Sequence, residues 1–186
     1  MKRLINILLF ALTLGLIFVP EVKVFIQRSL IYMGFFKPNL AKHPAALSTT
    51  KAMSLKDVNG RITDLSALKG KIVFINFWAT WCPPCIAELP TIESLYQHFA
   101  EDREVVFIIL EVEGQQIKAE KLFQDQGFSL PLYFANGTIP QDFFRGKLPT
   151  SIILDKNTHM VYQSEGLTNY ADPKLISFIK QLKQTK

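Results

Sequence analysis

Apolar residues are distributed along the chain in three successive patterns. From residue 4 to residue 19 they are almost unbroken, interrupted only by Asn6, Thr13 and Gly15, with Lys2 and Arg3 in front. Over residues 22–36, Val22, Phe25, Ile26, Leu30, Met33 and Phe36 fall at helical spacing, with Lys23 and Gln27 on another side. That periodicity predicts an amphipathic helix. It stops over 38–50, where Pro44, Ser48, Thr49 and Thr50 read as a tether. From about residue 51 the pattern becomes short strands and helices. Residues 54–58 and 61–63 flank Asn59-Gly60, a hairpin signal of the two-residue type. Asp64 can cap a short turn at 65–68 that Gly70 closes. Residues 71–78 are apolar, β-branched and aromatic, the pattern of a strand buried on both faces. A helix over 83–99, a second buried strand over 104–110 and a helix over 115–126 follow, the last with Ile117, Leu122 and Phe123 apolar and Gly127 after it. Residues 130–134 read as a short strand and 140–144 as one helical turn. Residues 150–154 and 159–163 read as antiparallel strands joined around Asp155-Lys156-Asn157. Asp172 caps a last helix running to about residue 182, with Pro173 at its first position. Strand and helix alternate as far as residue 134, then a hairpin and a closing helix follow. The expected class is α/β, a central mixed sheet flanked by helices on both faces.

Composition narrows the function classes. A chain of 186 residues holds one globular domain plus an extension. With 48% hydrophobic and 20% charged residues it is a packed protein, not a disordered one. The net charge of +5 is spread over scattered lysines without a basic stripe or an aromatic stacking platform, so nucleic acid is not an expected partner.

The leading apolar run makes a helix of roughly 24 Å at ~1.5 Å per residue, a little short of a ~30 Å hydrocarbon core. It is slightly long for a signal-peptide core, and residues 17–22 are too bulky for a cleavage site. No cysteine follows that could take a lipid. The expectation is an uncleaved signal anchor, a transmembrane helix over 1–20, ahead of a removed signal peptide or a soluble core helix. An amphipathic juxtamembrane segment and tether over 21–50 and a globular domain over 51–186 follow it. The helix at 22–36 either lies on the bilayer surface, the first choice, or packs on the domain. Lys2 and Arg3 on one side of the span, and Lys23, Arg28 and Lys37 on the other, leave orientation undecided by charge.

The chemistry concentrates in Trp81-Cys82-Pro83-Pro84-Cys85, which holds both cysteines of the chain. Two thiols separated by two residues can close a tight disulfide and open it again, and no third cysteine competes. At a strand-to-helix junction this spacing points to dithiol redox chemistry. Cys82, at the predicted helix N-terminus, faces unpaired N–H groups and the positive end of the dipole, which favour thiolate; it is the candidate nucleophile. Cys85, one turn inward, is the candidate resolving thiol. Half of a zinc site and an inert structural disulfide are the alternatives, the first lacking a second Cys pair or a His pair. His43, His98 and His159 have no ligand spacing and read as surface or packing residues. Pro83 and Pro84 donate no N–H, so the Cys82 thiolate loses a donor that another residue at 84 would supply, which favours a reductant over an oxidant. Trp78 reads as core; Trp81 shields the thiols or touches substrate. A peroxidase is disfavoured because Ala79 stands where Thr-x-x-Cys would need threonine.

The run Asn76-Phe77-Trp78-Ala79-Thr80-Trp81-Cys82-Pro83-Pro84-Cys85, followed by Glu88-Leu89-Pro90 and later Leu148-Pro149-Thr150, resembles the TlpA/ResA-like membrane-anchored branch of the thioredoxin superfamily over about residues 52–184. The N-terminal hairpin and the insertion around 115–134 match that branch better than minimal thioredoxin. The resemblance implies a thioredoxin fold, an extracytoplasmic site and thiol–disulfide exchange, often reduction of apocytochrome c cysteines for haem attachment. It implies that Glu88 assists proton transfer at the resolving thiol, against the plainer reading of a glutamate that complements the helix dipole. Pro149 is by this resemblance a cis-proline facing the disulfide, where backbone pairs with an extended substrate segment, and Leu148 offers an apolar contact. Asn76 replaces the buried aspartate of many thioredoxins and throws weight onto Glu88; it serves equally as a hydrogen-bonded core amide.

The implied cofactor is none beyond the Cys82–Cys85 disulfide, and no metal is expected. The implied partners are a disulfide-containing protein substrate, a membrane thiol transporter as electron donor and the bilayer itself. The implied location is the inner membrane with the catalytic domain on the periplasmic or extracytoplasmic side. An oxidase or isomerase on the same fold, a redox sensor and a metal chaperone remain the alternatives.

Overall fold

The computed structural model describes residues 2–40 and 53–185. Two helices lead, α1 (Lys2–Phe18) and α2 (Pro20–Tyr32), separated by Val19. Pro20 has no N–H to donate back into the preceding turn, so it ends α1, yet it suits the first position of α2. α1 is thereby held to 17 residues. No helix among the described residues is long and apolar enough to cross a membrane, so the spanning helix expected over 1–20 is not observed as such.

The sheet domain follows in the order β1 (Ser54–Asp57), β2 (Ile62–Asp64), a 3-10 turn (Leu65–Leu68), β3 (Ile72–Trp78), α3 (Pro83–Gln97), β4 (Val105–Glu111), α4 (Gln116–Gln126), β5 (Leu132–Ala135), β6 (Thr150–Leu154), β7 (Met160–Glu165) and α5 (Pro173–Gln184). One mixed seven-stranded sheet results, ordered β2-β1-β5-β4-β3-β6-β7. β3, β4 and β5 run parallel; β6 and β7 are antiparallel on one side, and the β1–β2 hairpin pairs antiparallel with β5 on the other. The segment 115–134 is thus no appendage. It supplies α4 and the start of β5, the crossover that parallel strands β4 and β5 require.

β3 is the axis of the core, and all seven of its residues are buried. Alternation sends Ile72, Phe74 and Trp78 into one layer, and Val73, Ile75 and Phe77 into the other. In the first layer Phe74 meets Tyr170 edge-on at 5.3 Å and Phe107 at 5.2 Å. Asn76 shares the face of Phe74 and Trp78 and so points toward the helix that carries the cysteines.

Some local readings are corrected. The hairpin loop has three residues, not two: the Asp57 amide donates to the Arg61 carbonyl, and its carboxylate accepts from the amides of Asn59 and Arg61 at 2.9 and 2.8 Å. Gly60 takes the left-handed conformation (φ +79°) that a type I turn with a bulge demands. Asp64 precedes the 3-10 turn without a side-chain capping bond. α2 packs along α3 and buries Ile31 fully, so it lies against the domain, the second of the two readings weighed for it. Of the tether expected over 38–50, Pro38 is buried and Leu40 packs on the core; residues 41–52, with His43, Pro44 and the expected domain start at 51, lie outside the described residues.

The last helix is capped as expected, the Asp172 carboxylate accepting from the Lys174 amide at 2.8 Å. Asp172→Ala should lower stability by about 1 kcal/mol, read as a shifted urea midpoint with unchanged slope.

Candidate active site

β3 ends at Trp78, and the turn through Ala79 brings the Cys82 amide within 3.1 Å of the Ala79 carbonyl. Cys82 is the N-cap of α3, with extended backbone (φ −94°, ψ 99°). A disulfide joins it to Cys85, Cα to Cα 5.3 Å. Pro83 and Pro84 occupy the first two helical positions, so the one amide of that turn able to reach the Cys82 sulfur is that of Cys85, at 3.3 Å. Both sulfur-bearing residues are buried, Cys85 completely.

An apolar groove of about 410 Å³ opens beside Cys82. Trp81, Pro83, Pro84, Phe144 and Leu148 line it, together with Val112 and Glu113 just past the end of β4. Trp81 is 62% exposed while Trp78 is wholly buried and stacks on Phe123 at 5.4 Å. The Leu148–Pro149 peptide is cis. Antiparallel register sets Thr150 opposite Phe77, which brings Pro149 to the same end of the sheet as the Trp78–Cys82 turn. The Pro149 carbonyl is engaged by the Gly166 amide at 2.8 Å.

Behind Cys85, one turn farther along α3, Glu88 is fully buried. Its Oε1 accepts from Asn76 Nδ2 at 2.9 Å and its Oε2 from the Thr168 amide at 3.2 Å. Asn76 spends its other N–H on Ser151 Oγ at 2.9 Å, so the core-amide reading and contact with Glu88 hold together. Asn76 Oδ1 has no partner; turning that amide over would offer its oxygen to a protonated Glu88. Burial pushes the Glu88 carboxyl well above the usual carboxylate range, and the bonds from Asn76 and Thr168 offset part of the rise. A carboxyl so held exchanges protons nearer neutral pH than an exposed one.

Two tyrosines close this pocket. Burial raises Tyr170 well above its ordinary value, with the nearby Glu88 charge adding, and takes Tyr162 up to about 12. Ser164 lies beside the Tyr162 hydroxyl, and Ser151 and Thr168 beside that of Tyr170, yet neither hydroxyl completes a hydrogen bond. Both tyrosines therefore stay neutral, which leaves Glu88 as the group of this cluster able to change charge.

Thr168, Ser151, Phe144 and Glu113 carry no motif that singles them out in the sequence. They reach the site through sheet register and loop placement. His98 ends α3 and His159 lies 3.4 Å from Asp155; among the described residues no cluster of His, Cys, Asp and Glu could hold a metal ion.

Comparison with known proteins shows the family. Residues 48–163 match the AhpC/TSA family. The chain is 33% identical over 141 residues to the thiol-disulfide oxidoreductase ResA of Bacillus thuringiensis (strain Al Hakam), covering 73% of this chain and 78% of that one. It is 33% identical over 128 residues to ResA of Geobacillus thermodenitrificans (strain NG80-2), covering 68% and 72%. Among solved structures it is similar to StoA from Bacillus subtilis (TM-score 0.55, 22% identity, 74% of this chain and 98% of that one). It is likewise similar to a thiol:disulfide interchange protein of the thioredoxin family from Chlorobium tepidum TLS (TM-score 0.56, 23% identity, 80% and 97%). At these identities the structural matches speak for the thioredoxin fold alone.

Proposed function

Since the chain belongs to the AhpC/TSA family and, within it, stands with the ResA thiol–disulfide oxidoreductases, we propose that its Cys82–Cys85 pair works as a reductant of protein disulfides outside the cytoplasm. Thiol–disulfide oxidoreductase activity comes with the family. The direction, the substrate and the place are this reading's own.

The Cys82 thiolate attacks one sulfur of a substrate disulfide. The substrate S–S bond breaks, its second sulfur leaves as a thiol after taking a proton, and a mixed disulfide forms. Cys85 gives its proton toward Glu88 and attacks the Cys82 sulfur. The mixed disulfide breaks and the first substrate sulfur leaves. Two electrons have passed to the substrate, and the protein holds the Cys82–Cys85 disulfide. An external dithiol restores it; a membrane thiol transporter is the donor class suited to a site beyond the reach of cytoplasmic reductases. The dithiol is the redox group proposed, with no other cofactor.

The observation that carries the direction is the single amide at the Cys82 sulfur. A thiolate with few donors is poorly stabilised, so the reduced form gives up electrons readily. Equilibration with glutathione tests it: a pair that stays mostly reduced in glutathione buffers poised for DsbA-like proteins would overturn the assignment. Pro84→His, which restores a backbone N–H at the second helical position, should move the equilibrium toward the dithiol by about tenfold, the worth of one charge-assisted hydrogen bond.

The anchor reading draws on α1, whose side chains from residue 2 to residue 13 are exposed although most are apolar. Such a surface calls for an apolar surrounding. The groove of Trp81, Phe144 and Leu148 suits an extended, apolar-flanked cysteine segment, and apocytochrome c is the proposed substrate class. Flotation of the full chain with membranes, and protease access to the domain from the outer side only, are the expected results. A domain protected from outside protease would overturn the location.

A further inference from the structure

The helix ahead of the sheet domain touches the active site in two places that the chemistry above does not use. Pro90 lies inside α3. A helical carbonyl ordinarily accepts the N–H four residues on, so Pro90 denies that bond to Ile86, the residue after Cys85, and its ring turns the carbonyl away from the helix axis. Arg28 of α2 reaches this carbonyl: Nη2 donates to Ile86 O at 3.4 Å and to Gln126 Oε1 of α4 at 3.1 Å. Farther along, the Asn169 amide donates to the Phe36 carbonyl at 2.7 Å and its Nδ2 to Ile31 O at 3.5 Å. Asn169 follows Thr168, whose amide holds Glu88 Oε2. One segment therefore braces both the turn that bears Cys85 and the strip that bears the donor to Glu88.

We propose that residues 20–36 form a positioning arm of the active site, with Arg28 supplying the hydrogen bond that Pro90 withholds from the backbone behind Cys85. The arm acts on resolution. Cys82 needs no help from α2 to attack, since it already lines the groove. Cys85 has to reach Cys82 Sγ from a fixed helical turn, and a loosened carbonyl next to it lets that turn drift. The inference rests on the reading of Cys85 as the resolving thiol.

The test uses the reduced full-length chain in detergent and an aromatic disulfide that releases a coloured thiol. The first equivalent reports attack by Cys82 and the second reports resolution by Cys85. Arg28→Met, which keeps the aliphatic stem, should leave the first release unchanged and slow the second about tenfold, the net contribution of one hydrogen bond. Arg28→Lys keeps a donor and should recover most of the rate. Pro90→Ala gives α3 its own amide for Ile86, and in that background Arg28→Met should no longer slow the second release. A second release unaffected by Arg28→Met, whatever happens to the melting temperature, overturns the arm. So does equal slowing with Ala at 90. Fast release of one equivalent by Cys82→Ala, with none from Cys85→Ala, would instead overturn the underlying assignment of the resolving thiol.

Discussion

Cys82→Ala should abolish disulfide reduction, lowering the rate by a factor on the order of 10³ or more, whereas Cys85→Ala should stop the cycle halfway. The two cysteines are chemically alike and differ by position. Cys82 caps α3 and borders the groove; Cys85 sits one turn inward with no exposed surface. A substrate disulfide therefore meets Cys82 first. Without Cys85 the mixed disulfide has no neighbouring thiol to cleave it and accumulates as a covalent complex, visible as a reductant-sensitive band of higher mass. Mass spectrometry of that band names the substrate, and recovery of cysteine-pair segments from apocytochromes is the expected outcome. If Cys82→Ala traps partners and Cys85→Ala does not, the order of attack is the reverse of the one proposed.

Glu88→Gln should slow resolution about 100-fold at neutral pH, a usual range for losing a general acid or base, and should change how stability depends on pH. The carboxyl is raised in the folded state by burial. The native protein therefore holds this proton more tightly than the unfolded chain does. Its stabilising share is complete at pH values below the ordinary carboxylate range and declines as pH rises toward the raised folded value. Glutamine carries no proton to lose. Its melting temperature should gain on that of the natural protein as pH is raised above the ordinary carboxylate range. In the natural protein resolution should fall as pH drops through the raised value, because a protonated Glu88 cannot accept the Cys85 proton; in the Gln variant that limb should be missing. Parallel stability curves for the two proteins would show that Glu88 does not titrate from its buried position.

The readable parts of this molecule were those whose cause is local. Residues 71–78 announce β3 because seven consecutive buried side chains need no partner strand to be recognised as apolar and β-branched. The thiol pair, its two prolines and the Asp172-Pro173 cap depend on neighbours within a turn. Glu88 came with the Glu88-Leu89-Pro90 run that carries the family resemblance, but its partners did not. Thr168 lies 80 positions away and Asn76 only 12, and both arrive through the order β3-β6-β7. Periodicity likewise gave α2 an apolar face without naming its cover, since packing on lipid and packing on α3 ask for the same side chains. The apolar run ends at residue 19, where the missing N–H of Pro20 closes the helix, so its length was legible while what surrounds it was not. In the β1–β2 loop, the Asp57 carboxylate gathers two amides and makes room for a third loop residue that an Asn-Gly signal alone does not foresee.

The hairpin has a consequence for self-association. Without it, β5 would border solvent and offer its unpaired backbone to any extended chain. β1 covers β5 and moves the boundary out to β2, which is three residues long and mostly exposed. At the opposite margin, pairing of β7 with β6 shifts register near Leu154, and such irregularity spoils a straight template for strand addition. A catalyst acting on unfolded apocytochrome segments, the substrate proposed above, would run a standing risk of fibril-like pairing with them. Here neither margin gives a client a long, regular ladder to join, so an extended segment gains most by settling at the thiols and leaving once its bond has been exchanged.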